Sequence, residues 1–178
     1  MQFRRWEDFD TRSVERLFTE VFAASEGASE GRVVGALALQ LMREVSAEDL
    51  AGFVAVEDED VIGSLFFSRM RFATPVEAFL LSPVAIATAW HGQGVGQALI
   101  RHGLDALRHQ GVQLVCTYGD PRFYCRVGFR AADADAIPAP FALTQPEGWL
   151  CQWLQGATPL SLSGPSHCVA PFDNPDYW

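Results

Sequence analysis

The hydrophobic pattern of the first 45 residues predicts one strand followed by two helices. Residues 2–6 alternate loosely between polar and apolar side chains, as a first strand does. Residues 13–24 then carry the stripe of an amphipathic helix, formed by Val14, Leu17, Phe18, Val21 and Phe22. Asp10 and Thr11 stand where an N-cap is expected. After a predicted loop over 25–31, a second helical stripe comprises Val34, Leu37, Leu41, Met42 and Val45.

Three apolar runs follow and predict consecutive strands. Residues 51–56 and 61–72 form two of them, joined by an acidic hairpin turn at Glu57–Asp60. The third run, 77–87, is almost entirely apolar, which is typical of a central strand covered on both faces. A proline in a central strand removes a ladder donor, so Pro83 predicts a bulge near Ser82–Val84.

The second half of the chain predicts two more helices and three more strands. Residues 94–110 read as a helix ended by Gly111, and 112–118 as a strand. Asp120 and Pro121 have the residue types of an N-cap and a first helical position, so a short helix follows. Residues 141–144 and 149–154 are predicted to be a closing pair of strands. We expect one mixed α/β domain over 1–178, with an irregular tail over 156–178 held by Phe172, Tyr177 and Trp178.

Composition narrows the possible partners. The 178 residues carry 13 Lys+Arg against 22 Asp+Glu, a formal net charge of −9, which argues against nucleic-acid binding and fits a cationic acceptor. No apolar run reaches the roughly 20 residues of a membrane span, and no signal-peptide pattern is present. A cytoplasmic location without membrane contact is therefore expected. The four cysteines lack metal-ligand spacing, so no metal is expected.

The segment TAWHGQGVGQAL, residues 88–99, places three glycines directly before a predicted helix. A Gly-rich turn that opens a helix aims free N–H groups at one point, which makes an anion site. A Walker A loop is excluded because no Gly-Lys-Ser/Thr follows, and the dinucleotide fingerprint fails in both frames. Two readings stay open: a metal-free pyrophosphate cradle using amides of residues 92–97, or a plain tight turn.

At this point the sequence resembles motif A of the GNAT superfamily of acetyl-CoA-dependent N-acyltransferases, Arg/Gln-x-x-Gly-x-Gly/Ala. Gly94 and Gly96 match its two small positions, whereas His91 stands where Arg or Gln is usual. A second match is Tyr-x-x-x-Gly-Phe at Tyr124, Gly128 and Phe129. The preceding GDPRFY is similar to a bacterial subgroup with Gly-Asp-Pro-x-x-Tyr, and the element order agrees from residue 2 to about 155.

This resemblance implies a fold and a reaction. The implied fold is a GNAT-like mixed central sheet of about seven strands, with strands 4 and 5 splayed apart, and four helices. The implied reaction moves an acetyl group from acetyl-CoA to a primary amine of a small molecule or peptide, by direct attack through a tetrahedral intermediate. Tyr124 is the implied acid for the leaving thiolate. The implied cofactor-binding residues are Val84, Ala85 and Ile86 along the pantetheine arm, and His91, Gly92, Gln93, Gly94, Val95, Gly96 and Gln97 at the pyrophosphate.

Several points remain open on the sequence. A non-catalytic acyl-CoA-binding or sensing module is the alternative function, and a structural domain with an empty loop is a third. Glu77 is the candidate general base, with a water relay to solvent as its alternative. The resemblance places the acceptor walls in residues 22–34 and 137–155. A homodimer is possible if strand 149–154 is a free sheet edge.

Overall fold

The computed structural model describes residues 1–154 and 161–178 of the chain. Within them lie seven strands: β1 (Gln2–Arg5), β2 (Leu50–Glu57), β3 (Asp60–Met70), β4 (Ala78–Ile86), β5 (Leu114–Tyr118), β6 (Arg130–Ala131) and β7 (Trp149–Trp153). The α-helices of this part of the chain are α1 (Thr11–Glu26), α2 (Ala28–Glu44), α3 (Val95–His109) and α4 (Pro121–Tyr124). The predicted fold class, a mixed sheet of about seven strands with four helices, is confirmed.

The strands form one mixed sheet in the order β1-β2-β3-β4-β5-β7-β6. β4 and β5 are parallel, with Ala78 opposite Leu114 and Leu81 opposite Thr117. The pairs of β1 with β2, of β5 with β7 and of β6 with β7 are antiparallel. The predicted β2–β3 hairpin is confirmed: Asp58 and Glu59 have φ of +47° and +72°, as the central residues of a type I′ turn require.

The chain divides into two compact units. The first comprises Met1–Phe67 and Pro83–Gly103, and the second comprises Ser68–Ser82 and Leu104–Trp178. Each unit has its own buried side chains, among them Phe18, Phe53 and Leu99 in the first and Leu80, Val115 and Trp149 in the second. The single domain over 1–178 stays a prediction, and residues 156–160 of the predicted tail lie outside the described part.

The predicted loop between the first two helices is wrong, because that segment is almost entirely helical. Gly27 alone separates α1 from α2, and its φ of +103° makes the reversal. Residues 28–31 belong to α2, although Gly31 favours a loop when only the local sequence is considered. A Cβ at Gly31 would clash with the Thr19 carbonyl oxygen, and one at Gly35 with the Thr19 hydroxyl. These glycines therefore allow the two helices to approach closely.

Asp10 does not cap α1 with its side chain. The carboxylate, only 3% exposed, instead accepts two hydrogen bonds from Arg4, at 2.6 and 2.8 Å, and one from the Glu7 N–H at 2.9 Å. Burial raises the pKa of Asp10, but these hydrogen bonds and the Arg4 charge outweigh it, so the pKa lies below its ordinary value. The carboxylate thus fixes the turn before α1 through Arg4.

The predicted strand over 141–144 is also wrong, and its place at the sheet is taken by β6. Arg130 and Ala131 pair with Cys151 and Leu150 of β7. Residues 141–144 follow Pro138 and Pro140, which cannot donate to a ladder. β7 therefore has β5 on one side and β6 on the other, so it is not the free edge that the homodimer hypothesis assumed.

Aromatic side chains of the second unit gather around Trp178, which is 3% exposed. Its ring lies 6.2 Å from Tyr118, 6.3 Å from Phe141 and 5.9 Å from Trp149. Its indole N–H donates to the Phe172 carbonyl oxygen at 3.2 Å, and its carbonyl accepts from the Thr144 N–H. Residues 141–144 therefore bond to this cluster instead of to the sheet.

We predict that Gly31→Ala destabilises the protein although alanine is the better helix former. Helix propensity alone favours the alanine by about 0.5–1 kcal/mol, whereas overpacking against Thr19 and Ala23 costs about 1–3 kcal/mol. Urea unfolding measures the difference. Ser29→Ala, on an exposed position of the same helix, is the control. A gain in stability for Gly31→Ala would contradict the close approach.

Arg4→Met is expected to lower stability at neutral pH by about 2 kcal/mol, because it leaves the Asp10 carboxylate buried without its charge partner. The folded pKa of Asp10 is depressed, so the contribution is present above the unfolded value near 4 and is lost as pH falls through the folded value. The deficit relative to wild type should therefore shrink as the pH falls below the unfolded value and through the folded one. Unfolding midpoints at several pH values test this, with exposed Arg12→Met as control. A deficit independent of pH would refute it.

Candidate active site

The segment after β4 is a glycine turn that opens α3. A short 3₁₀ helix, Thr88–Trp90, precedes the turn at residues 91–94. Gly92 and Gly94 have φ of +74° and +79°, a region that L side chains rarely adopt, and nothing lies within 4 Å of a Cβ built on either. The backbone here is therefore both glycine-dependent and open to close approach.

The first turn of α3 provides donors without helical partners. The first four N–H groups of an α-helix have no acceptor in their own helix. The N–H of Ala98 bonds to the Gly94 carbonyl at 3.0 Å, which starts the helical pattern. The N–H groups of Val95, Gly96 and Gln97 precede that bond and lie at the positive end of the helix dipole. Such an end binds phosphate oxygens well.

The polar side chains of the turn bond backward to the chain that leads into it. His91 Nε2 lies 2.7 Å from the Ile86 carbonyl oxygen and must carry the proton, because a carbonyl can only accept. Gln93 Nε2 donates to the Ala89 carbonyl at 2.9 Å. These two side chains hold the turn against the backbone that precedes it. At the position where the GNAT motif usually has Arg or Gln, the side chain of His91 thus bonds within its own chain.

β4 changes its surroundings where its ladder with β5 ends. The four pairs of that ladder run from Ala78 to Leu81, all buried. Beyond Leu81 the strand continues to Ile86, and half-buried residues alternate with buried ones; the half-buried ones are Ser82, Val84 and Ile86, and the buried ones Pro83 and Ala85. None of the β4–β5 pairs includes a residue after Leu81, so that side of the strand is partly open beyond the ladder, and one face of the strand is half-buried there. The bulge near Ser82–Val84 stays a prediction, since β4 is assigned without a break.

Tyr124, the last residue of α4, lies in the second unit. Asp120 caps this helix by accepting from the Arg122 N–H at 2.8 Å, as predicted. Burial raises the pKa of Tyr124 above its ordinary value, and a hydrogen bond with the Thr117 side chain opposes this only in part. The phenol is therefore protonated at neutral pH and can donate a proton.

The structure groups the predicted site residues in two sets. Residues 84–86 and 91–97 belong to the first unit, and Tyr124 belongs to the second. Glu77, the candidate base, is also in the second unit but pairs with Arg69 at 2.6 Å. Its backbone bonds to Gln113, four residues before Thr117, which is about 13 Å along a strand. Within that unit Glu77 and Tyr124 are thus not brought together.

The sequence alone did not identify two neighbours of Tyr124, namely Thr117 and Gly119. Thr117 gave no signal beyond being a polar residue in an apolar strand. Gly119 is part of GDPRFY, where the sequence suggests no role for it, yet its α-carbon faces the Tyr124 ring. Within the described residues, no group of three or more His, Cys, Asp or Glu could hold a metal ion. No helix of this part is long and apolar enough to cross a membrane.

Comparison with known proteins finds similarity to acetyltransferases. The family model described as "Acetyltransferase (GNAT) domain" matches residues 48–131. The chain is 29% identical over 168 residues to an uncharacterized N-acetyltransferase, YjhQ, of Escherichia coli, covering 91% of this chain and 88% of that one. The chain is therefore similar to GNAT acetyltransferases, and residues 48–131 carry the match to the family model.

Solved structures of GNAT proteins share this fold. The E. coli GNAT protein YhbS in complex with CoA has a TM-score of 0.80 at 24% identity, covering 97% of this chain and 92% of its own. A GNAT acetyltransferase from Brucella melitensis in complex with acetyl-CoA has a TM-score of 0.72 at 26% identity, covering 97% of each chain. In this chain the match to the GNAT family model includes the glycine turn, β4 and Tyr124.

Proposed function

We propose that this GNAT acetyltransferase transfers the acetyl group of acetyl-CoA to a primary amine of a small molecule or peptide. The observation that carries the proposal is the open glycine turn at the start of α3, with its unpartnered first-turn N–H groups. The Brucella relative, which is crystallised with acetyl-CoA, supports the choice of co-substrate.

Backbone atoms supply most of the proposed acetyl-CoA contacts. The N–H groups of residues 92–97 would bind the pyrophosphate, with His91 and Gln93 acting through the turn that their side chains hold. The partly open side of β4 at Val84, Ala85 and Ile86 would pair with the pantetheine arm like an added strand. Residue identity then matters mainly where glycine is required, at Gly92 and Gly94.

The proposed chemistry is a direct transfer. The neutral amine nitrogen attacks the thioester carbonyl carbon, and a tetrahedral intermediate forms whose oxyanion a β4 amide can stabilise. The C–N bond forms, the C–S bond breaks, and the thiolate takes the phenolic proton of Tyr124. The proton lost by the amine passes through water to solvent, which also returns a proton to Tyr124.

A cavity of about 450 Å³ in the second unit supports an amine acceptor. Its lining includes Asp120 and Glu147, with Arg122 tied to Asp120 by an ion pair at 2.8 Å. Gly119 also lines the cavity and faces the ring of Tyr124. Volume in this range is ordinary for a small-molecule site, and its carboxylates favour a cationic ligand. Residues 144–148, which lie within the predicted acceptor wall, contribute to it.

Gly94→Glu is expected to abolish acetyl-CoA binding. The side chain would occupy the open space beside the turn, strain a backbone at φ of +79°, and place a negative charge where phosphate is bound. Isothermal titration calorimetry of the wild type should show micromolar binding that the variant lacks.

Gly111→Glu is the matched control for that titration. Gly111 follows the other end of α3, has φ of +83°, and likewise has nothing within 4 Å of a built Cβ. The Gly111→Glu variant therefore has the same backbone strain and the same added charge, but at a distance from the turn. This variant should bind acetyl-CoA like the wild type. Absence of binding by the wild type would overturn the proposal and leave the turn without a ligand.

Tyr124→Phe is expected to lower kcat about 100-fold while the Kd for acetyl-CoA changes less than about twofold, because the phenol acts on the leaving group alone. Thiol release with an amine panel, including spermidine and trialanine, measures turnover. Since the pKa of Tyr124 is raised, its ionisation should cause no loss of kcat below about pH 10 in the wild type.

Tyr177→Phe is the control, since Tyr177 packs against Phe172 in the C-terminal segment. Turnover of Tyr124→Phe at the wild-type rate would remove Tyr124 from the mechanism. Tight acetyl-CoA binding by a wild type that turns over no amine would favour the non-catalytic acyl-CoA-binding module instead. The homodimer and the cytoplasmic location stay predictions.

A further inference from the structure

We infer that Gly119 is a positioning residue for Tyr124: its missing side chain gives the tyrosine ring the space to lie against the end of β5. This inference rests on the proposed role of Tyr124 as the acid for the leaving thiolate. It gives a function to the glycine of GDPRFY, the part of that segment which neither the helix cap nor the catalytic role explains.

The space around Gly119 is filled by the tyrosine ring. A Cβ built on Gly119 would lie 2.7 Å from Cε2, 3.4 Å from Cδ2 and 3.6 Å from Cζ of Tyr124. The shortest distance is about 0.8 Å less than an ordinary carbon–carbon contact. Gly119 is not among the glycines with positive φ, so backbone freedom does not explain the residue type. The close approach of the Tyr124 ring explains why this residue is glycine.

The ring has little room to retreat from an added methyl group. Phe123 packs edge-on at 5.1 Å and Phe129 at 5.8 Å between ring centroids. Thr117 interacts with the phenol, and its own hydroxyl donates to the Leu81 carbonyl at 2.9 Å. Because the ring is rigid, a displacement at Cε2 also moves the hydroxyl oxygen, which is the atom that matters for proton transfer.

Gly119 itself is equally fixed. Its N–H donates to the Gly148 carbonyl at 3.0 Å, directly after the last β5–β7 pair, Tyr118 with Trp149. The next residue, Asp120, is held in place because its side chain caps α4. Because the backbone on both sides of Gly119 is bonded, a Cβ at this position cannot be relieved by a shift of the strand end. The ring has to move.

The test is a double-mutant cycle between Gly119→Ala and Tyr124→Phe. We expect Gly119→Ala to lower kcat about 10- to 100-fold in the wild type, as misplacement of a catalytic group by nearly 1 Å does, with the Kd for acetyl-CoA nearly unchanged. In the Tyr124→Phe background the same substitution should change kcat less than about twofold, because no phenol is left to misplace. The acceptor is the panel amine that turns over fastest.

Gly148→Ala is the matched control. Its Cβ would meet the Gly119 carbonyl oxygen at 3.1 Å and the Tyr118 ring at 3.2 Å, so it crowds the same turn, while its three nearest atoms include none of Tyr124. Any loss it causes should be of similar size in both backgrounds. Equal losses for Gly119→Ala in both backgrounds, or no loss at all, would overturn the positioning role.

The two proposals fail in different ways. Wild-type turnover by Tyr124→Phe would overturn the acid role and with it the positioning of an acid. A large effect of Tyr124→Phe together with none of Gly119→Ala would overturn the positioning role alone.

Titration of the phenol is a second test and needs no acceptor. It is measured as the absorbance difference between each protein and its Tyr124→Phe counterpart. A pKa of Tyr124 closer to its ordinary value in Gly119→Ala supports the displacement, and an unchanged one contradicts it.

Discussion

Two parallel strands need a crossover connection, and between β4 and β5 that connection begins with the glycine turn and continues as α3. The turn must therefore leave β4 sharply and start a helix within a few residues, which only positive-φ backbone at Gly92 and Gly94 allows. The first turn of α3, whose N–H groups have no acceptor within their own helix, thus follows the carboxyl end of β4 along the chain. In open α/β sheets ligands bind beyond the carboxyl ends of strands, which agrees with the proposed position of the pyrophosphate.

The parallel β4–β5 ladder depends on the same crossover connection. It ends at Leu81 and Thr117, and β4 then continues with one side partly open. Thr117 closes the ladder by donating to Leu81, and it also meets the phenol of Tyr124. The end of the ladder is thus tied to the proposed acid. A single threonine connects the backbone of one strand with the chemistry proposed for the next helix.

The sequence predicted local features well where residue type alone decides the conformation. The turn at Asp58 and Glu59, the Asp120 cap and the bounds of α3 all follow from short-range preferences. The loop at 25–31 failed because its glycines suit a loop in isolation. In the protein, Gly31 and Gly35 serve a helix contact with Thr19, which no local pattern shows. Likewise Asp10 has the residue type of a cap, but Arg4 takes its carboxylate.

By itself the sequence determined the glycine turn, the capped α4 and the family, because these depend on residues close together in the chain. The tertiary structure decided which segment pairs with β7: residues 130–131 occupy that edge, and residues 141–144 bond to Trp178 instead. It also decided that Gly119 faces Tyr124. Each of these outcomes is a competition between segments for one edge or one space. Such competition is settled by packing and hydrogen bonding in three dimensions, which spacing along the chain does not encode.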